Sequence, residues 1–106
     1  MTFETVLENR IAAVKDILDE KAIQYQRGNN RYSNFDKIAL FENKTPEQAL
    51  WGIAMKHIAA LSDYVNDLPN NDMSEEQWQE KIGDTINYLI LLEGIVLRRK
   101  HQAIQQ

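Results

Sequence analysis

The sequence predicts an all-α chain, a four-helix bundle-like protomer that assembles into a symmetric oligomer. Three observations carry that expectation. Apolar residues recur at spacings of three and four in four segments, and no segment alternates in the manner of a strand. Two capping boxes mark helix starts, Thr45-Pro46-Glu47-Gln48 and Ser74-Glu75-Glu76-Gln77. From Ile86 to Leu97 only Asn87, Glu93 and Gly94 interrupt apolar residues, and the three point in different directions around a helix. A helix apolar nearly all round wants burial nearly all round. Three neighbours from a chain of 106 residues hardly supply it, so a second copy is the economical solution. The alternative is a monomeric bundle with this helix at its centre.

The first helix is expected from about Phe3 to Arg27, with Phe3, Leu7, Ile11, Val14, Leu18, Ala22 and Tyr25 on one stripe. Gly28, Asn29 and Asn30 stop it, because these residues accept the left-handed conformation common at helix ends. A short second helix runs from about Asn34 to Glu42, capped by Ser33 or Asn34, with Phe35, Ile38, Ala39 and Phe41 as its apolar side. The third starts at Thr45, where a hydroxyl, a proline in the first turn and a glutamine three residues on coincide, and it ends near Asp67, before Pro69. The fourth opens at Ser74, its two acids suiting the positive end of the helix dipole. It continues to about His101, so that Arg98, Arg99 and Lys100 fall in its last turns, where cations are favoured, and the tail from Gln102 frays.

Residues 1–106 form one domain on this reading, and the composition is globular, 43% apolar and 26% charged. Zero cysteines remove disulfide staples, thiolate metal sites and a cysteine nucleophile together. Twelve basic against sixteen acidic residues leave a net charge of −4, a poor basis for general binding of nucleic acid or an anionic membrane. The start is charged and amphipathic without a signal-peptide core, and the longest apolar run, Tyr88 to Leu92, is far short of the ~20 residues a bilayer span needs. A cytoplasmic, soluble protein is the expectation. Phosphate loops, dinucleotide fingerprints, zinc-protease, serine-hydrolase and EF-hand motifs are absent, and two histidines exclude a histidine-rich metal site.

The main chemical candidate is Glu80, Asp84 and Asn87, whose spacings of four and three set them on an arc of about 60°. Carboxylates one turn apart share a hard cation such as Mg²⁺, and an asparagine amide next in line adds a ligand or orients one. Gly83 sits inside the same helix at a cost of ~1 kcal/mol relative to alanine, which a close neighbour or a bound ligand would explain. An ordinary solvated polar face accounts for the same spacing.

On the third helix Lys56, Ala60, Asp63 and Asp67 lie along one stripe, and His57 continues Leu50-Ile53-His57-Leu61-Tyr64. His57 reads as a hydrogen-bonded core residue. Lys56 meets a phosphate, or pairs with Asp63 or a carboxylate of the fourth helix. The segment from Arg27 to Phe35 joins Arg27 and Arg31 to amides and aromatics at a helix start, suited to an anion or merely a turn.

The order of a long helix, NFDKIA from Asn34, WGIAMKHIAAL from Trp51 and EKIGDTINYLILLEG from Glu80 resembles the compact MazG-like proteins of the all-α NTP pyrophosphohydrolase superfamily, of the small phage and prophage type. The likeness covers roughly Ile11 to Arg98. It implies a nucleotide-binding protein, with Mg²⁺ on Asp84 and Glu80 gripping a triphosphate while water attacks and pyrophosphate leaves. It further implies Asn87 orienting the ligand, Lys56 and Arg31 meeting phosphates, and Glu76 as a carboxylate that activates the water. Two features depart from the family pattern. Glu80 stands four residues before Asp84 instead of three, and Met55-Lys56-His57-Ile58-Ala59 replaces the glutamates of the preceding helix. Several carboxylates collect the metal in such hydrolysis, so the chain is either a pyrophosphohydrolase with a degenerate metal site or a non-catalytic helical phage or prophage accessory protein. The expected assembly is a dimer or tetramer.

Overall fold

A computed structural model describes residues 1–25 and 32–105, with side chains described for 1–19 and 32–102. Among these residues the elements are four helices, α1 (Phe3–Tyr25), α2 (Ser33–Glu42), α3 (Pro46–Asn66) and α4 (Glu75–Gln105), and no strand. Arg27, Arg31 and the Gly28-Asn29-Asn30 stop lie outside the described residues.

Both capping boxes form. The Gln48 backbone N–H donates to the Thr45 hydroxyl at 3.1 Å, and the Thr45 N–H donates to the Gln48 side-chain oxygen at 2.9 Å. The same exchange joins Ser74 and Gln77, at 3.1 and 3.0 Å. Each box satisfies two of the donors that a helix start leaves without a helical partner. The cap of α2 differs from the expectation: Tyr32 holds that position and makes no side-chain capping bond. Asn43 ends α2 in the left-handed conformation and its N–H returns to the Ala39 carbonyl, the turn chemistry asparagine tolerates best after glycine.

The helices pack in antiparallel fashion around α3 and α4. Glu47 near the start of α3 meets Arg99 near the end of α4, His57 meets Tyr88 midway, and Tyr64 meets Trp78 at the far end. The buried centre is Phe35, Leu50, Ala54 and Ile95, with Tyr32, Ile53, Tyr88, Leu91 and Leu92 packed against it. Leu50 and Ala54 are wholly buried. Helix α2 closes one end of this layer, and α1 lies along the first half of α4.

Two expectations are corrected here. The stripe assigned to α1 does not pack along its length: Phe3, Leu7 and Ile11 are exposed, and the half-buried side is Arg10, Ala13, Val14, Ile17 and Leu18. The basic residues Arg98, Arg99 and Lys100 do not fall in the last turn of α4, because the helix runs on to Gln105. Two of those cations tie helices together instead. Arg98 makes a two-pronged bond to the Asp36 carboxylate of α2, at 2.8 and 3.1 Å, beneath the ring of Tyr32 at 4.9 Å. Arg99 bonds Glu47 of α3 at 2.8 Å.

Glycine positions in α4 are explained by neighbours. A Cβ at Gly83 would meet the Arg10 guanidinium, which donates to the Gln79 carbonyl at 3.0 Å and so fastens α1 to α4. A Cβ at Gly94 would collide with the Tyr32 hydroxyl. Among the described residues no helix is long and apolar enough to cross a membrane.

Candidate functional site

The middle of α4 carries the residues of interest, held in place by two contacts of opposite kind. On one side the Tyr88 ring meets the His57 ring of α3, centroids 4.9 Å apart and planes tilted by 38°. On the other, Gly83 admits Arg10 of α1. Asn87 stands one turn after Gly83 and beside Tyr88, so it is enclosed by the helices that these contacts fix. It is 4% exposed, and neither its amide nitrogen nor its carbonyl oxygen has a hydrogen-bond partner among the described residues. Leaving a buried donor or acceptor unmatched costs about 1–3 kcal/mol, so an asparagine at this position calls for an explanation that packing does not provide.

Asp84, three residues earlier, is half-buried and makes no hydrogen bond or ion pair with the described residues. Glu80 and Glu76, on the preceding turns, are exposed, as is Lys56 on α3. Lys56 has no ion pair among the described residues, with neither Asp63 nor a carboxylate of α4. Arg31 lies outside the described residues. The arc predicted for Glu80, Asp84 and Asn87 is therefore graded along its length, from solvent at Glu80 to full burial at Asn87.

Among the described residues a metal centre is not assembled. No group of three or more His, Cys, Asp or Glu side chains among the described residues is arranged to hold an ion. The donor set implied by the family resemblance, several carboxylates around one cation, is thus incomplete among the described residues. Glu93 belongs to none of these groups: it is exposed, and the nearby cations Arg98 and Arg99 are engaged with Asp36 and Glu47 of the same chain.

Sequence reasoning placed His57 on an apolar stripe but did not foresee its ring contact with Tyr88. The pairing had a signal, since both residues sit midway along helices joined by a short loop and therefore antiparallel. The isolation of Asn87 had none, because an unmatched amide depends on what surrounds it. No protein-family model, no curated protein and no solved structure matches this chain.

Proposed function

We propose that the chain is a MazG-like nucleotide-binding protein, working as a symmetric oligomer, whose ligand is held at the Asp84–Asn87 arc of α4. The observation that carries this reading is the buried carboxamide of Asn87, unmatched among the described residues, beside a half-buried carboxylate. A carboxamide offers two donors and two acceptor sites in one plane, the pattern that matches the edge of a nucleobase or the hydroxyls of a sugar. The His57–Tyr88 ring pair next to it adds aromatic surface. Asp84 and Glu80 are the acids on the arc that would hold a Mg²⁺ ion bound together with the nucleotide's phosphate oxygens. Lys56 and Arg31 are the cations assigned to the phosphates. Pyrophosphate release needs more carboxylates than the described residues bring together.

A second reading is favoured by the same absence of an acid cluster: a non-catalytic helical accessory protein that keeps the bundle and acts through its surfaces. Calorimetric titration with non-hydrolysable deoxynucleoside triphosphates, with and without Mg²⁺, separates the two. The first reading expects Mg²⁺-dependent binding by wild type, weakened by about tenfold or more in Asp84→Ala, equivalent to 1.4 kcal/mol. Asn87→Leu is expected to lose binding while its unfolding midpoint stays level or rises, since a leucine of similar size leaves no polar atom unmatched. Folded wild type that binds no nucleotide in either condition would leave the accessory reading alone.

A further inference from the structure

Helices α1 and α4 meet along a seam that stays open on one side. The opening is a groove of about 840 Å³, lined on α1 by Phe3, Val6 and Leu7 and on α4 by Trp78, Ile82 and Ile86 among others. Trp78, Ile82 and Ile86 step by four, and Phe3 stands three and four residues before Val6 and Leu7, so each set falls on one face of its helix. Phe3, Val6, Leu7 and Ile82 are between 39% and 73% exposed. From Phe3 to Ile17 the lining follows α1 for about 21 Å of helix axis, roughly four turns.

The groove lies in the acidic part of the chain. Glu75 and Glu80 belong to its lining, and Glu4 and Glu76 stand in the first turns of the two helices. None of these four has an ion pair among the described residues. The stretches that supply the lining, 1–17 and 75–86, hold seven Asp and Glu against three Lys and Arg, a balance of −4. That equals the net charge of the entire chain, so the remaining residues balance to zero. The cation within the lining, Arg10, is drawn onto the Gln79 carbonyl of α4 at 3.0 Å. Charge of one sign beside an apolar cleft favours a ligand of the opposite sign.

Trp78 is the fixed point of the lining. Its indole N–H donates to the Asp72 carboxylate at 2.7 Å, and its ring meets Tyr64 edge-on, centroids 6.5 Å apart. A half-buried aromatic whose polar atom is already matched offers apolar area at little ordering cost. The shape and charge together narrow the occupant. An anionic lipid surface is repelled by the acids, and among the described residues there is no strand to which an extended peptide could add. The cationic run of a second copy, Arg98 to Lys100, has two of its three charges engaged with Asp36 and Glu47. A helix with an apolar face and basic flanks matches both the cleft and its charge.

We infer that the α1–α4 groove docks a basic amphipathic helix of about four turns from a different protein. Its apolar residues fill the cleft against Val6, Leu7, Trp78 and Ile82, in the manner of a helix laid into a groove, and its Lys or Arg side chains meet Glu75 and Glu80 at the edges. The inference rests on neither the nucleotide nor the oligomer reading above. Glu80 is shared with the arc of that reading, so the test turns on Val6, Leu7 and Trp78, which the arc does not use.

The chain has two tryptophans, so Trp51→Phe leaves Trp78 as the only reporter. The probe is a synthetic helical peptide of leucine and lysine, about 14 residues long, with its leucines at steps of three and four. One control scatters the same leucines around the helix, and another carries glutamate in place of lysine. The lysine peptide is expected to shift Trp78 emission to the blue and to bind about tenfold or more tighter than either control, less tightly as salt rises. Val6→Ser with Leu7→Ser, both at exposed positions, is expected to weaken it by about tenfold or more. Leu40→Ser with Phe41→Ser, over 80% exposed on α2, is expected to leave it unchanged. Binding of a control as tight as that of the lysine peptide, unaltered Trp78 emission, or equal losses from the two double variants would overturn the inference. So would a sedimenting mass that falls from wild type to the Val6 and Leu7 variant, since the groove would then belong to a second copy.

Discussion

At position 94 an added methyl group meets the Tyr32 hydroxyl, whereas at position 83 it meets only the end of the Arg10 side chain. The two glycines sit in one helix and look alike in sequence, but their neighbours differ in freedom. Tyr32 is held over Arg98, which is itself bonded to Asp36; Arg10 has a long stem that swings away. Gly94→Ala is therefore expected to destabilise the fold by about 1–3 kcal/mol, the usual cost of overpacking. Gly83→Ala is expected to be neutral or stabilising by up to ~1 kcal/mol from helix propensity. Urea unfolding of the two variants checks the contrast, and equal losses would show that Arg10 is as firmly seated as Tyr32. The cost of Gly83 was legible in the sequence as a question. That Arg10 occupies the space was not, because Arg10 is distant along the chain and lies on a helix whose apolar stripe pointed elsewhere.

At the scale of the element, the starts of α3 and α4 were legible to the residue, since a capping box is written within four consecutive positions. The end of α4 was not. Its cations match a helix C-terminus by composition, but their partners, Asp36 and Glu47, are more than fifty residues away. The exposure of Trp51, Met55 and Val65 on α3 was not legible for a different reason: they alternate with the core positions, so the helix reads as broadly apolar on one side. The two arginines of α4 make a test of placement. Arg98 is the more enclosed, and its hydrogen bond to Asp36 raises the guanidinium further above its ordinary value against the opposing effect of burial. A group raised on folding contributes stability that is complete below its unfolded value and fades only as pH climbs through the folded one, so alkaline titration across the working range leaves this pair intact. Arg98→Ala is expected to cost about 1–2 kcal/mol, against about 0.5 kcal/mol or less for Arg99→Ala, whose side chain is largely exposed. Thermal melts of both variants decide it; the reverse order would mean that the Asp36 pair is not what holds α2.

For the whole molecule, the wholly or nearly buried apolar side chains among the described residues are Phe35, Ala39, Ala49, Leu50, Ala54 and Ile95. Half of these are alanine, which buries little area, so the interior of one chain is a weak source of stability. The all-α, four-helix architecture was legible in the sequence, and so was the apolar character of α4, which leaves Ile82, Leu89, Ile90 and Leu97 exposed in the structure. If a second copy supplies the rest, the unfolding temperature rises with protein concentration, by mass action. Calorimetric scans over a hundredfold range of concentration are expected to show that rise, while a constant midpoint would indicate a chain stable by itself.

The way α1 is fastened has a consequence in time as well as in space. It lies on α4 through a half-buried side of mostly small and medium residues and through Arg10, whose bond goes to a backbone carbonyl. Helices anchored so lightly lift off far more often than the body they rest on. Amide protons of α1 should therefore trade with deuterium from solvent well before those of α3, and each opening uncovers Gly83 and the turn that leads to Asn87.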